Sequence, residues 1–178
     1  MAKIIPLADY RIKNALRTGS MIWQLHFDER FDAKIALPQL GPRTLCRLAE
    51  PGSSSATILY ALIIGLLEYG DSTVFDDLGA SAQNTVLDIH LFLSDQVRFE
   101  MMHRLGWLNV FEARRFPLIE MVLDYARVSA RCFEKPPSLS RTHPDYAEYS
   151  RLFERDKQVF IRRMLALALE AFRLDEEI

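Results

Sequence analysis

Cysteine is scarce in this chain, and no part of it is apolar for long enough to cross a membrane. Cys46 and Cys132 lie far apart and outside any C-x-x-C pattern, which favours two reduced thiols over a disulfide framework. The longest apolar run, from Ala56 to Leu67, has 12 residues, whereas a membrane-spanning helix needs about 20. We therefore expect a soluble, cytoplasmic protein in which this run forms a buried helix.

Lys and Arg are absent between Leu48 and Val97, where the chain carries seven Asp/Glu. The part before this stretch has a net charge of +4 and the part after it +1, which gives −2 for the whole chain. With a pI of about 6.1, the chain is not expected to bind nucleic acid. The basic first part could dock on the acidic middle, within the chain or across a dimer. We favour charges that face water, because exposed ion pairs contribute little.

Glycine and proline are unevenly distributed, with no Gly after Gly106 and no Pro between Pro51 and Pro117. Since helix interiors tolerate neither residue well, this pattern predicts a strongly helical chain after an irregular start. The predicted fold is all-α, a helical bundle of about six to eight helices with a long C-terminal helix. We expect one domain over residues 1–178, with an irregular N-terminal part (1–55), core helices (56–135) and a C-terminal helix (144–174).

The sequence also predicts where three of the helices end. A first helix is predicted to end at Gly19, and the segment "MIWQLHF" (21–27) fits a strand, a helix or an extended arm. Gly106 is predicted to end a long central helix. A helix of about thirty residues at the C-terminus would be about 45 Å long, so we expect it to bend, break or extend into a partner.

The stretch Glu100-x-x-His103 is the sharpest chemical feature of the sequence. Residues three apart lie on one face of a helix, where a carboxylate and an imidazole can ligate the same metal. Ferritin-like di-iron proteins use two such pairs, and this chain has one. An iron, manganese or zinc ion would suit the mixed N/O ligands. The carboxylates that could complete such a site are Asp88, Asp95, Glu68 and Glu120.

A structural alternative is favoured for the same residues. Glu100 precedes Arg104 by four positions, which is the favoured order for a helical ion pair, and His103 can hydrogen-bond a backbone carbonyl. Two further groups of polar residues also have structural interpretations. Arg151, Arg155 and Arg162 form a row on the last helix that we interpret as a solvated face. We interpret His143, Asp145, Tyr146 and Tyr149 as the start of a helix rather than a small polar site.

The chain contains no nucleophile elbow, phosphate-binding glycine loop or dinucleotide fingerprint. The leading hypothesis is therefore a small helical binding or interaction protein. Its partner could be another protein or a second copy of the same chain, which would make it a homodimer. The alternative is a metal-binding bundle or metal-dependent enzyme that uses Glu100 and His103. A third hypothesis, a regulator that binds an apolar small ligand inside the bundle, is not separable from the first by sequence. The identity of any cofactor is left unknown.

Overall fold

The computed structural model describes residues 7–27, 29–69 and 74–178, and it confirms the all-α fold. Within these ranges no residue belongs to an extended strand, and two isolated bridges join Ala36 to Pro117 and Leu108 to Leu139. The described chain forms eight α-helices: α1 (Leu7–His26), α2 (Pro42–Ala49), α3 (Ser53–Leu66), α4 (Ala80–Arg104), α5 (Leu118–Leu123), α6 (Tyr125–Glu134), α7 (Tyr146–Tyr149) and α8 (Glu154–Asp175). It also contains three short 3-10 helices, Leu37–Gln39, Phe75–Asp77 and Glu112–Arg115.

Helix α4 lies at the centre of the bundle, where it packs against α2, α3, α5 and α8. Buried side chains occur on several of its sides, among them Val86, Leu93 and Met101. A helix that is apolar around most of its circumference is typical of a central element. The buried apolar side chains that surround α4 form one continuous core.

The end of α4 confirms the predicted stop at Gly106, whose φ of 76° lies in the left-handed region that favours glycine. The Trp107 amide donates to the Met102 carbonyl at 2.8 Å, and the Gly106 amide donates to the His103 carbonyl at 3.0 Å. This pair of hydrogen bonds is a Schellman motif, which satisfies carbonyls that the helix end would otherwise leave free.

Helix α1 does not end at Gly19 as predicted but continues to His26. A Cβ atom on Gly19 would lie 2.9 Å from side-chain atoms of both Leu66 and Phe31. The glycine therefore permits a close approach of neighbouring elements to α1 and does not terminate the helix. The ambiguous segment that follows is helical through His26, and its Trp23 ring lies 4.5 Å from the ring of Phe27.

The irregular N-terminal segment is confirmed over residues 29–41, which contain bends, a turn and the 3-10 helix Leu37–Gln39. Apolar side chains anchor this segment, since Phe31, Leu37 and Leu40 are all buried. Glu29 Oε1 accepts hydrogen bonds from the Gly41 amide at 2.9 Å and the Thr44 hydroxyl at 2.8 Å. A carboxylate at the start of α2 also suits the positive end of that helix dipole.

The long C-terminal helix is confirmed over Glu154–Asp175, and its predicted start is a separate turn of helix, α7. The break places buried Tyr149 against Phe160, with 5.7 Å between the ring centroids. One straight helix could not bring these residues together, because they lie eleven positions apart, about 16 Å along an axis. Of the helices in the described ranges, none is both long and apolar enough to span a membrane.

The buried end of α1 generates a stability prediction. Trp23 is 1% exposed, and Met21 on the same helix is 62% exposed. We expect Trp23→Ala to lower the free energy of unfolding by about 3–5 kcal/mol, because it leaves a large cavity. Met21→Ala should change it by less than about 0.5 kcal/mol. Urea denaturation of both variants measures the difference, and equal small losses would contradict the packing of α1.

Candidate functional site

Glu100 is fully buried and lies between two arginines. Its Oε1 accepts a hydrogen bond from Arg104 Nε at 2.9 Å, and its Oε2 accepts one from Arg114 Nε at 2.8 Å. The first partner is one turn later on α4, and the second is on the 3-10 helix Glu112–Arg115. A buried carboxylate needs such partners, because an unpaired charge in the core is costly.

Arg104 extends this cluster to the irregular N-terminal segment. Its Nη2 donates to the carbonyl of Leu40 at 2.8 Å and to that of Leu37 at 3.1 Å. These carbonyls belong to the 3-10 helix Leu37–Gln39 and to the residue that follows it, so Arg104 fixes the end of this short helix. Through Glu100 and its two arginines, α4 therefore holds two separate 3-10 helices at fixed positions.

His103 makes a different contact from that of Glu100. Its Nδ1 lies 2.9 Å from the Leu108 carbonyl oxygen, an arrangement in which the ring nitrogen is the donor. The hydrogen bond to a backbone carbonyl agrees with the structural alternative predicted for His103. The ion pair with Arg104 agrees with the one predicted for Glu100.

Of the other carboxylates named from the sequence, Glu68, Glu120 and Asp95 have partners of their own, and Asp88 is exposed on α4. Glu68 accepts from Asn14, and Glu120 pairs with Arg127. In the part of the chain that the structure describes, no three His, Cys, Asp or Glu side chains are grouped to hold a metal. The role of Glu100 and His103 as metal ligands stays a prediction.

The buried ion pairs generate a second stability prediction. We expect Glu100→Ala to lower the free energy of unfolding by about 3–5 kcal/mol, because two arginine side chains lose their buried counter-charge. Glu154→Ala is the control, since Glu154 forms an exposed pair with Lys157, and we expect little change.

Elemental analysis of the same proteins separates the two interpretations of Glu100. With an ion-pair role, wild-type protein and Glu100→Ala carry the same metal content. Near-stoichiometric iron, manganese or zinc in the wild type that is lost in Glu100→Ala and in His103→Ala would establish the metal site instead.

A cleft of about 520 Å³ lies one turn along α4 from Glu100. Its walls come from α4, α6 and α8, from the 3-10 helix Glu112–Arg115 and from the loop that follows α6. Small-molecule sites in proteins commonly have volumes of about 300–1,000 Å³. The size of this cleft is therefore within the range of a ligand-binding site.

Two aromatic pairs form the apolar part of the cleft. Phe92 meets Tyr125 of α6 with ring centroids 5.5 Å apart, and Phe99 meets Phe111 at 6.0 Å. Both pairs have an edge-to-face geometry, which suits the charge distribution of the rings. Each pair joins α4 to a different wall, so aromatic side chains line the cleft on both sides.

Gln96 lies on α4 between these two aromatic pairs and also lines the cleft. It is 6% exposed, and within the described ranges its amide makes no hydrogen bond. Buried amides almost always have a partner. The described side-chain atoms that are both sealed from solvent and unpaired are Trp23 Nε1, Glu29 Oε2 and His90 Nδ1. In the described part of the chain, the Gln96 amide is unpaired but is not one of these sealed groups, so part of it is accessible to solvent. Because Gln96 lines the cleft, a ligand there can reach this amide.

The most buried charged groups of the cleft have partners, whereas Asp88 and Lys135 lie exposed at its surface. Burial raises the pKa of Asp95, and the nearby guanidinium of Arg162 opposes that shift from 3.4 Å. Glu112, which is 9% exposed, lies 3.7 Å from both Arg115 and Arg131. Arg162 therefore belongs to the cleft and not only to the solvated row expected from the sequence.

Cys132 also lines the cleft, and its environment keeps the thiol protonated. Burial, together with the nearby charge of Glu112, raises the pKa of the Cys132 thiol to about 11. A thiol with this pKa is almost entirely protonated at neutral pH and is a weak nucleophile.

This shift predicts slow alkylation of Cys132. We expect its rate of reaction with iodoacetamide, followed by peptide mass spectrometry, to rise about tenfold per pH unit through pH 10, because only the thiolate reacts. The alkylation rate of a cysteine-containing peptide in the same tube should reach its plateau at a pH about two units lower. A plateau for Cys132 near pH 9 would contradict the burial of this thiol.

The remaining residues singled out from the sequence lie elsewhere. His143 accepts a hydrogen bond on Nδ1 from the Asp145 amide at 3.1 Å, at the start of α7, in agreement with a helix-start role. Gln96 and Cys132 were not identified as site residues from the sequence. The spacing of Phe92, Gln96 and Phe99 could have identified Gln96, because it places one amide in the middle of an aromatic helix face.

Comparison with models of known protein families, with curated proteins and with solved structures finds no significant match to this chain.

Proposed function

We propose that this chain is a binding protein that holds a small, largely apolar organic molecule in the cleft between α4, α6 and α8. The observation that carries the proposal is the cleft of about 520 Å³ lined by two edge-to-face aromatic pairs. Apolar pockets with a few polar groups are the usual form of small-molecule sites. Of the hypotheses drawn from the sequence, this proposal adopts the third, in which the helical bundle binds an apolar small ligand.

The driving force for such a ligand is burial of its apolar surface, at about 25 cal/mol for each Å² removed from water. The ring edges of Phe92, Tyr125, Phe99 and Phe111 are held by their mutual contacts before a ligand arrives. Because these walls are already ordered, the entropy cost of binding is small relative to that of a flexible site. The protonated thiol of Cys132 adds a weakly polar surface and no negative charge.

Three further expectations from the sequence are part of the proposal. A cytoplasmic location is supported by Cys46 and Cys132, which are both free thiols in the structure. A protein partner or a second copy of the chain stays a prediction. Light scattering tests self-association, since a homodimer would have twice the 20.6 kDa mass of the chain. The metal-dependent alternative depends on the elemental analysis described above.

Two exposed phenylalanines provide a matched test of the cleft. Phe133 on α6 lines the cleft and is 83% exposed, whereas Phe153 lies outside it and is 78% exposed. We expect 1-anilinonaphthalene-8-sulfonate to bind saturably with a rise in fluorescence. Phe133→Ala should weaken binding several-fold, because it removes one aromatic side chain from the cleft lining, and Phe153→Ala should leave it unchanged.

Near-UV circular dichroism is the control for the dye titration, since it shows whether each phenylalanine variant retains the fold. Absence of saturable binding at millimolar protein, or equal weakening in the two variants, would overturn the proposal that this cleft holds an apolar ligand.

A further inference from the structure

Gln96 is the one cleft-lining amide in the described chain that is both nine-tenths buried and without a hydrogen-bond partner. A second glutamine of the cleft, Gln158, donates to the Pro137 carbonyl at 3.5 Å and is less buried. Leaving a buried amide unpaired destabilises a protein, so such groups point to a bound water or ligand.

We propose that the ligand of this cleft is a flat, neutral aromatic molecule with an adjacent N–H donor and C=O acceptor, and that Gln96 recognises this edge. The inference rests on the proposed function, since it names the chemical class of the ligand of the same site. A carboxamide has a carbonyl oxygen that accepts and an NH₂ group that donates, side by side. A lactam or cyclic imide presents the complementary order, so two parallel hydrogen bonds satisfy both partners.

The flat shape follows from the positions of the aromatic side chains. Phe92 and Phe99 lie four residues before and three residues after Gln96, within about 60° of it around the helix axis. They are separated by about 10 Å along that axis, one on each side of the amide. A fused two-ring system that pairs with Gln96 would contact aromatic surface at both ends.

The neutral charge follows from the ion pairs on the rim. Asp95 has Arg162 at 3.4 Å, and Glu112 has Arg115 and Arg131 at 3.7 Å. Because these carboxylates already have counter-charges, they give a cationic ligand little advantage. The other charged lining residues, Asp88 and Lys135, are both exposed to water and opposite in sign, so they favour neither sign of ligand charge. Among the described lining residues, the buried polar group that remains for recognition is the uncharged amide of Gln96.

Calorimetric titration with matched probes tests the inference. The probes are 2-quinolone, which has the N–H and C=O edge, 4-methyl-2-quinolone, which keeps it, and N-methyl-2-quinolone, which has lost the donor. We expect the first two to bind about tenfold or more tightly than the third, because a lost hydrogen bond leaves the buried amide unpaired. The 4-methyl probe controls for the volume of the added methyl group.

Two glutamine variants locate the effect. Gln96→Met preserves the volume of the side chain and removes both hydrogen-bonding atoms, so the preference for 2-quinolone over its N-methyl form should disappear. Gln158→Met, at the glutamine that already has a partner, should retain the full preference. Thermal melting of both variants confirms that they are folded at the temperature of the titration.

The outcomes separate this inference from the proposed function. Equal binding of all three quinolones to wild-type protein, or a preference that survives in Gln96→Met, overturns the ligand class and leaves an apolar cleft intact. If neither the quinolones nor 1-anilinonaphthalene-8-sulfonate bind, the proposed function fails and the inference fails with it.

Discussion

One buried carboxylate joins the central helix to two 3-10 helices. Glu100 has no exposed surface, and each of its oxygens accepts from a different arginine. Arg104 connects it to the N-terminal 3-10 helix, and Arg114 connects it to the 3-10 helix that precedes α5. Neither 3-10 helix is long enough to be stable alone, so the central helix positions both.

The same cluster determines the shape of the cleft. Glu112 and Ala113, on the 3-10 helix that Arg114 fixes, form one wall of the cleft, and Gln96 lies one turn before Glu100 on α4. The ion pair therefore sets the distance between the amide and the opposite wall. Buried ion pairs add little net stability relative to an apolar core, but they can impose one arrangement among several. In this account, Glu100 contributes order at the cleft as well as stability.

Local sequence signals predicted the features that depend on neighbouring residues. The uneven Gly and Pro distribution predicted an all-α chain, and Gly106 predicted the end of α4 because its φ value requires a glycine. The pair Glu100–Arg104 was foreseen as an alternative, since four positions separate its members on one helix face.

Features that depend on tertiary contacts could not be predicted in this way. The second partner of Glu100, Arg114, comes from another element, and no spacing rule brings the two together. Gly19 was expected to end α1, but its missing side chain serves close packing against Leu66 and Phe31. Gln96 was missed because a lone glutamine on an apolar helix has no motif. Only its burial and the absence of a partner in the described chain distinguish it.

The most direct test of this account is the affinity of Arg114→Met for 2-quinolone, measured by calorimetry where the variant is folded. Arg114 is not among the residues that line the cleft, so it makes no direct contact with a ligand there. If the bond to Glu100 positions the cleft wall, affinity should fall several-fold while the ability to fold is retained. Wild-type affinity in the folded variant would contradict the claim that the Glu100 ion pair organises the binding site.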